Sequence, residues 1–200
     1  MRTVCEINKL AGGRYQVVLD DSSSFPLYAK ELAIYGIEEG TEISDTLYTT
    51  ILQEVLIRRA RLKTMHLLET QDRTEYQLRT KLAQLSYPEE LIDDALEYVK
   101  KFHYVDDLRY AVNYMETRKE QKSMRQMEQD LLQKGITKEI LREAKEQIET
   151  PDEEQQIRVW LEKKHFDPET ADKKETEKMY RFLLRKGYGY SSIADVLRQS

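Results

Sequence analysis

Apolar residues recur along most of this chain at the three- and four-residue spacing of helices buried on one side. The clearest stretch runs from Ser123 to Ile148. Ser123 and Gln126 have the spacing of a capping box, which predicts a helix start. Met124, Met127 and Leu131 then mark one face. Gly135 falls where a left-handed residue would end that helix, and Ile136 where the next residue would fold back on its last turn. Thr137 can open a second helix, with Ile140, Leu141, Ala144 and Ile148 inward.

The same pattern occurs twice more. Thr74 and Gln77 form a box, Leu78, Leu82 and Leu85 a stripe, and Ser86-Tyr87-Pro88 a turn with Pro88 as a first helical residue. Leu91, Ile92, Ala95, Leu96 and Val99 line the helix that follows. Near the end come Met179, Leu183 and Leu184, the turn Lys186-Gly187-Tyr188, and Ile193, Val196 and Leu197. This last copy is expected to lack a capping box. By their numbers, Ser86, Gly135 and Gly187 stand 49 and 52 residues apart. A near-constant interval of that size marks stacked supersecondary units.

Each pair is preceded by a further helix. One runs from about Leu47 to Glu69, with Ile51, Val55, Ala60, Leu62, Met65 and Leu68 apolar. A second starts at Asp106, with Leu108, Ala111, Val112 and Met115 inward, and a third near Pro151, with Ile157, Trp160 and Leu161 inward. A polar loop is expected from Asp167 to Lys174. The first 48 residues differ: Thr3–Ile7 and Tyr15–Leu19 read as a hairpin across Gly12-Gly13, Phe25–Tyr28 as a third strand, and Leu32–Tyr35 as a brief helix stopped by Gly36. The expected fold is mainly α: three tandem three-helix modules (49–102, 103–149 and 150–200) in an elongated, curved array, behind a small β-hairpin-containing segment, 1–48.

Composition narrows function. Of 200 residues 34% are charged, and mean hydropathy is −0.74. No apolar run approaches the roughly 20 residues of a membrane span, and no signal-peptide core is evident. With one cysteine, Cys5, read as a small buried hydrophobe, a reducing cytoplasm is expected. The net charge of −5 is uneven: residues 1–56 hold four basic against nine acidic residues, and beyond them the signs balance at 28 each. Basic residues gather at Arg58–Lys63, at Arg118–Arg125 and at Lys173–Lys186.

Catalytic constellations are missing from this pattern. There is no phosphate loop, G-x-G-x-x-G, C-x-x-C or H-E-x-x-H. His66, His103 and His165 lack metal spacing and suit surface or cap positions. The pairs Asp93-Asp94 and Asp106-Asp107 could hold a cation, but carboxylates at a helix start also cap N–H groups, and that role is preferred for Asp106 and Asp107. Tyr104, Tyr110, Tyr114, Tyr188 and Tyr190 could stack on single-stranded bases; packing is preferred. Where a major-groove reader needs Arg, Lys, Asn or Gln, the second helix of the first pair carries Glu and Asp, and that of the second mixes Lys138, Arg142 and Lys145 with glutamates; neither suits groove insertion, which argues against sequence-specific DNA recognition.

Three motifs carry a family resemblance. His103-Tyr104-Val105-Asp106-Asp107-Leu108-Arg109-Tyr110-Ala111, with Tyr114 and Arg118 beyond, resembles the G-Y-[LI]-D-D-x-R-[FY]-A signature of RecX, the bacterial regulator of RecA. Leu131–Ile136 resembles its L-x-x-K-G-I turn and Phe182–Tyr188 its F-L-x-x-[KR]-G-[YF] segment. His103 stands where the family has glycine. The resemblance implies no catalysis and no cofactor or metal. It implies binding to the RecA–single-stranded DNA filament and a lowering of RecA's ATPase, strand-exchange and co-protease activities. It allows a weak direct DNA contact, involves no membrane and suits a monomer. The expected contacts are Arg109, Arg118, Arg125, Arg181, Arg185 and Lys186, with Asp106, Asp107, Gly135 and Gly187 structural. The competing readings are a helical-repeat DNA-binding protein acting without RecA, and a metal-dependent enzyme built on the aspartate pairs.

Overall fold

A computed structural model describes residues 1–198. The chain opens with strands β1 (Arg2–Lys9), β2 (Arg14–Leu19) and β3 (Ser24–Tyr28), helix α1 (Ala29–Tyr35), and a two-residue strand β4 (Glu42–Ile43). All pairings are antiparallel, in the order β3-β2-β1-β4. β4 was not foreseen, because two residues carry no alternation. Cys5 corrects another expectation: it is exposed. A bulge between Val4 and Glu6 gives β1 one residue too many against β2, so Val4 enters the core and Cys5 turns out.

Helix α2 (Asp45–Thr50) runs through a π-helical segment (Ile51–Ile57) into α3 (Arg58–Thr70). The buried positions are Ile51, Leu56, Ala60 and Thr64. The first interval is five residues, the hydrogen-bond step of a π-helix, and the next two are four. With that slip Leu62, one of the apolar positions of the helix, is 61% exposed, Val55 is half-buried, and Leu56 takes the core position. The buried Thr64 hydroxyl donates to the Ala60 carbonyl at 2.8 Å. Helices α4 (Glu75–Ala83) and α5 (Glu89–Lys101) complete the first trio. All five apolar residues expected to line α5 are buried, while Pro88 caps the helix one position earlier than expected. These helices and the sheet share one core, into which Val17, Phe25 and Leu27 pack with Leu78, Leu82 and Ile92. Arg14 ties the sheet to the first turn, donating to the Leu85 carbonyl at 2.7 Å.

The second trio is α6 (Asp107–Arg118), α7 (Met124–Gln133) and α8 (Lys138–Glu146); the third is α9 (Glu153–Lys163), α10 (Lys173–Arg185) and α11 (Tyr190–Arg198). Each has its own core, Ala111, Met115, Met127 and Leu131 in one and Ile157, Leu183, Ile193 and Val196 in the other. Asp106 directly precedes α6. The third copy does carry a capping box, contrary to expectation: Asp172 accepts from the Glu175 N–H at 2.7 Å, and Glu175 accepts from the Asp172 N–H at 3.1 Å. A carboxylate does the work of the hydroxyl in the first copy, and the helix starts inside the segment expected to be loop.

Six helix ends share one turn. At Gly36, Ser86, His103, Gly135, His165 and Gly187 the backbone enters the left-handed region, with φ between 51° and 86°. Each donates to the carbonyl three residues back, and the following residue to the carbonyl five back, as in Ile136 to Leu131 at 3.0 Å and Tyr188 to Leu183 at 3.3 Å. This is the Schellman arrangement, and the residue after it is apolar every time: Ile37, Tyr87, Tyr104, Ile136, Phe166 and Tyr188. Two of the three histidines are thus helix caps, and His66 meets Glu69 at the surface.

Candidate functional site

The expected contact residues do not form one cluster. Arg109 and Arg118 are both exposed on α6. Nine residues at 100° each put them half a turn out of phase, on opposite sides of the helix. The Arg118 side chain makes a 3.5 Å contact with Gln121. Arg125, at the start of α7, stands beside the third module's turn: a Cβ built on Gly187 would lie 3.3 Å from Arg125 Cβ. Arg125 therefore joins Lys186, while Arg181 and Arg185, four residues apart on α10, are both exposed. Arg181 has a 3.4 Å contact with Glu177.

Around Lys186 lies a group that periodicity did not single out. Trp160 on α9 and Phe182 on α10 meet edge to face, with centroids 5.3 Å apart. Trp160 Nε1 donates to the Tyr188 hydroxyl at 3.1 Å, which locks the indole to the buried turn residue. Burial pushes the Tyr188 hydroxyl up, with the Trp160 bond working against it. Three ammonium groups surround the two rings: Lys186 is 4.7 Å from the Trp160 centroid and 5.7 Å from Phe182, Lys163 is 5.5 Å from Trp160, and Lys164 is 5.1 Å from Phe182. Ring faces hold cations at about 0.5–1 kcal/mol each on a surface, enough to order the lysines without neutralising them. The sequence signal was the alternation of Lys with aromatics near Trp160 and Phe182; it was masked because Trp160 also fits an inward stripe.

Other basic residues are committed internally. Arg61 forms a two-point pair with Asp94 at 2.7 and 2.8 Å and lies over Tyr98, and its pKa is raised first by that hydrogen bond. Arg59 pairs with Glu31, and Arg79 with Glu89 and Asp93. The Asp93-Asp94 pair is thereby occupied by arginines. In the second module, Lys122 donates to Asp130 at 2.5 Å and to the Tyr114 hydroxyl at 3.0 Å, and Tyr114 donates to Asp130 at 2.7 Å. Among the described residues no group of three His, Cys, Asp or Glu could hold a metal ion, and no helix is long and apolar enough to cross a membrane.

The same region forms the joint between the second and third modules. Ser123, fully buried, accepts from the Gln126 N–H at 3.2 Å, the forward arm of its expected box, and its hydroxyl proton goes to the Lys186 carbonyl at 2.7 Å. Gly187, with φ of 86°, lies so close that a Cβ there would sit 2.7 Å from Ser123 Oγ. Gln156 on α9 donates to the Lys119 carbonyl and, at 3.2 Å, to that of Lys122. Glu153 accepts from the Gly189 N–H at 3.1 Å and from Ser192 at 2.8 Å. What results is a rigidly seated surface of cations and aromatic rings, suited to an anionic partner.

Family models for the first, second and third three-helix domains of RecX match residues 60–98, 106–144 and 152–197, together more than half of the chain. Regulatory protein RecX of Clostridium botulinum (strain Alaska E43 / Type E3) is 28% identical over 201 residues, covering 99% of this chain and 95% of that protein. Regulatory protein RecX of Clostridium perfringens (strain 13 / Type A) is 28% identical over 200 residues, covering 98% and 94%. A crystal structure of regulatory protein RecX shares the fold over the full length of both chains, with a TM-score of 0.62 at 23% identity. Three matched domains in order, on three helix trios closed by the same turn, place the chain in the RecX family of regulatory proteins.

Proposed function

We propose that this protein regulates RecA by binding the RecA–single-stranded DNA filament and lowering its ATPase, strand-exchange and co-protease activities. It acts in the cytoplasm, by contact, with no bond made or broken. The observation that carries the reading is the partition of charge. Several cations of the first module, Arg59, Arg61 and Arg79, are spent on internal pairs. Of the third, Lys163, Lys164 and Lys186 surround an aromatic pair, and Arg181 and Arg185 lie exposed on α10. Cations of that kind suit a filament carrying DNA phosphates and acidic protein faces. The three modules, taken as 49–102, 103–149 and 150–200, supply successive helix pairs for such a surface.

The deciding measurement is DNA-dependent ATP hydrolysis by RecA. Sub-stoichiometric protein is expected to suppress it, and unchanged hydrolysis refutes the reading. Reversing charge at Arg181, Arg185 and Lys186 together is expected to weaken inhibition with helicity intact; full inhibition by that variant removes the third module from the contact. The alternative, DNA binding without RecA, has the Trp160–Phe182 group in its favour, since rings with lysines can serve single-stranded bases and phosphates. It requires tight binding to free DNA that falls steeply with salt.

A further inference from the structure

We propose that the crevice beside the start of α9, between the second and third modules, is a socket for an arginine side chain presented by a partner protein. The proposal deepens the contact reading above by naming the chemistry of one contact. Gln156 is 4% exposed. Its Nε2 donates to the carbonyls of Lys119 and Lys122, which fixes the amide: turned over, it would set an oxygen against two oxygens. Oε1 is then buried, and among the described residues nothing donates to it. Buried polar atoms are nearly always satisfied, so an unmet acceptor on a side chain of the crevice lining marks where a donor would be taken up.

The crevice, about 630 Å³, is also lined by Glu120, Glu149 and Asp152. Asp152 already accepts the Gln155 N–H at 3.0 Å. Of the lysines in the wall, Lys119 pairs with Glu116 at 2.7 Å and is also felt by Glu149 and Glu120, while Lys163 lies over the Trp160 ring. Acceptors therefore dominate: one fixed amide carbonyl and two carboxylates. A guanidinium presents five donors in a planar fork and is weakly hydrated, so it can serve Oε1 and a carboxylate together. An ammonium is a strongly hydrated point charge and fits less well. Water is the competing occupant.

The test uses N-acetyl-L-arginine amide titrated into the full chain, followed by the Gln156 side-chain NH₂ signals and the backbone amides of residues 119–123. Saturable shifts confined to these groups are expected, with affinity at least about fivefold above that for N-acetyl-L-lysine amide. The double variant E120Q/E149Q, which spares the joint and the core, is expected to bind about fivefold more weakly. Absent saturation, equal affinity for the lysine compound, or unaltered binding by the double variant overturns the socket. A crystal grown with the arginine compound that shows only water at Oε1 overturns it too. Protein that suppresses RecA hydrolysis yet ignores the arginine compound loses the socket alone. Protein that binds the compound yet leaves RecA unaffected loses the filament reading and keeps the socket.

Discussion

Gly187→Ala tests whether the joint between the second and third modules is held as described. Two costs meet there. A side chain at φ of 86° is strained by about 1 kcal/mol, the usual penalty for a non-glycine residue in the left-handed region. The added methyl would also lie 2.7 Å from Ser123 Oγ, far inside ordinary contact, and 3.3 Å from Arg125 Cβ, tight by a few tenths of an ångström. Ser123 has nowhere to retreat, because its hydroxyl both caps α7 and donates to the Lys186 carbonyl. Displacing it forfeits a cap of about 1 kcal/mol and a hydrogen bond of about the same size. The expected loss is therefore about 3 kcal/mol. At Gly36, where nothing lies within 4 Å of the built Cβ, only the left-handed term of about 1 kcal/mol remains. Trp160, the one tryptophan, sits in the third module and reports its urea unfolding by fluorescence. A double-mutant cycle supplies the refutation. With Ser123→Ala already in place most of the clash is gone, so Gly187→Ala should then cost about 1–2 kcal/mol less. Costs that add within about 0.5 kcal/mol would refute the close-approach explanation.

Further outcomes follow from other groups. Ser86→Gly and His165→Gly should each stabilise by about 0.5–1 kcal/mol, since both residues occupy the left-handed region at a helix end; lower urea midpoints would contradict this. Burial pushes the Asp130 carboxyl up, but hydrogen bonds from Lys122 and Tyr114 leave it below its ordinary 3.8. Because the folded pKa is the lower one, its stabilisation is present above 3.8 and lost as pH falls through the folded value. Asp130→Asn should remove that part of the acid dependence, which thermal melts between pH 5 and about pH 2 would reveal. Asp94→Ala should cost about 0.5–1 kcal/mol, discounted for the partial exposure of the pair, and leave RecA inhibition untouched; loss of inhibition in a folded variant would place the first module at the contact.

How far the chain could be read from its letters depends on where its partners lie. Helix α5 was legible in full because its buried residues, Leu91 to Val99, keep one helical period along one face. The turns at Gly135 and Gly187 were legible because glycine announces the left-handed region. The same turn at His165 was hidden, since nothing local distinguishes a histidine cap from a surface histidine. In the long helix before Thr70, a π-helical slip leaves Leu62 outside while Ala60, Met65 and Leu68 stay against the core, which no fixed period reveals. Of the proposed contacts, Arg181 and Arg185 share a face by simple spacing, whereas the approach of Arg125 to Lys186 depends on a joint made across 63 residues. Gln156 was missed for the same reason: it looks like any polar helix residue, and its partners are main-chain carbonyls, which every sequence has.

That last point has an evolutionary consequence. At the joint, Ser123 and Gln156 grip peptide oxygens belonging to Lys186, Lys119 and Lys122, so the gripped residues contribute only atoms common to all amino acids. The joint itself places no demand on their side chains, although Lys122 is held by Asp130 and Tyr114 and Lys119 by Glu116. Selection can exchange the lysine at 186 for whatever a given partner rewards while the hinge keeps its angle, whereas drift at 123, 156 or 187 would loosen it. The scaffold is thus fastened from one side only, and the other side is left available for adaptation.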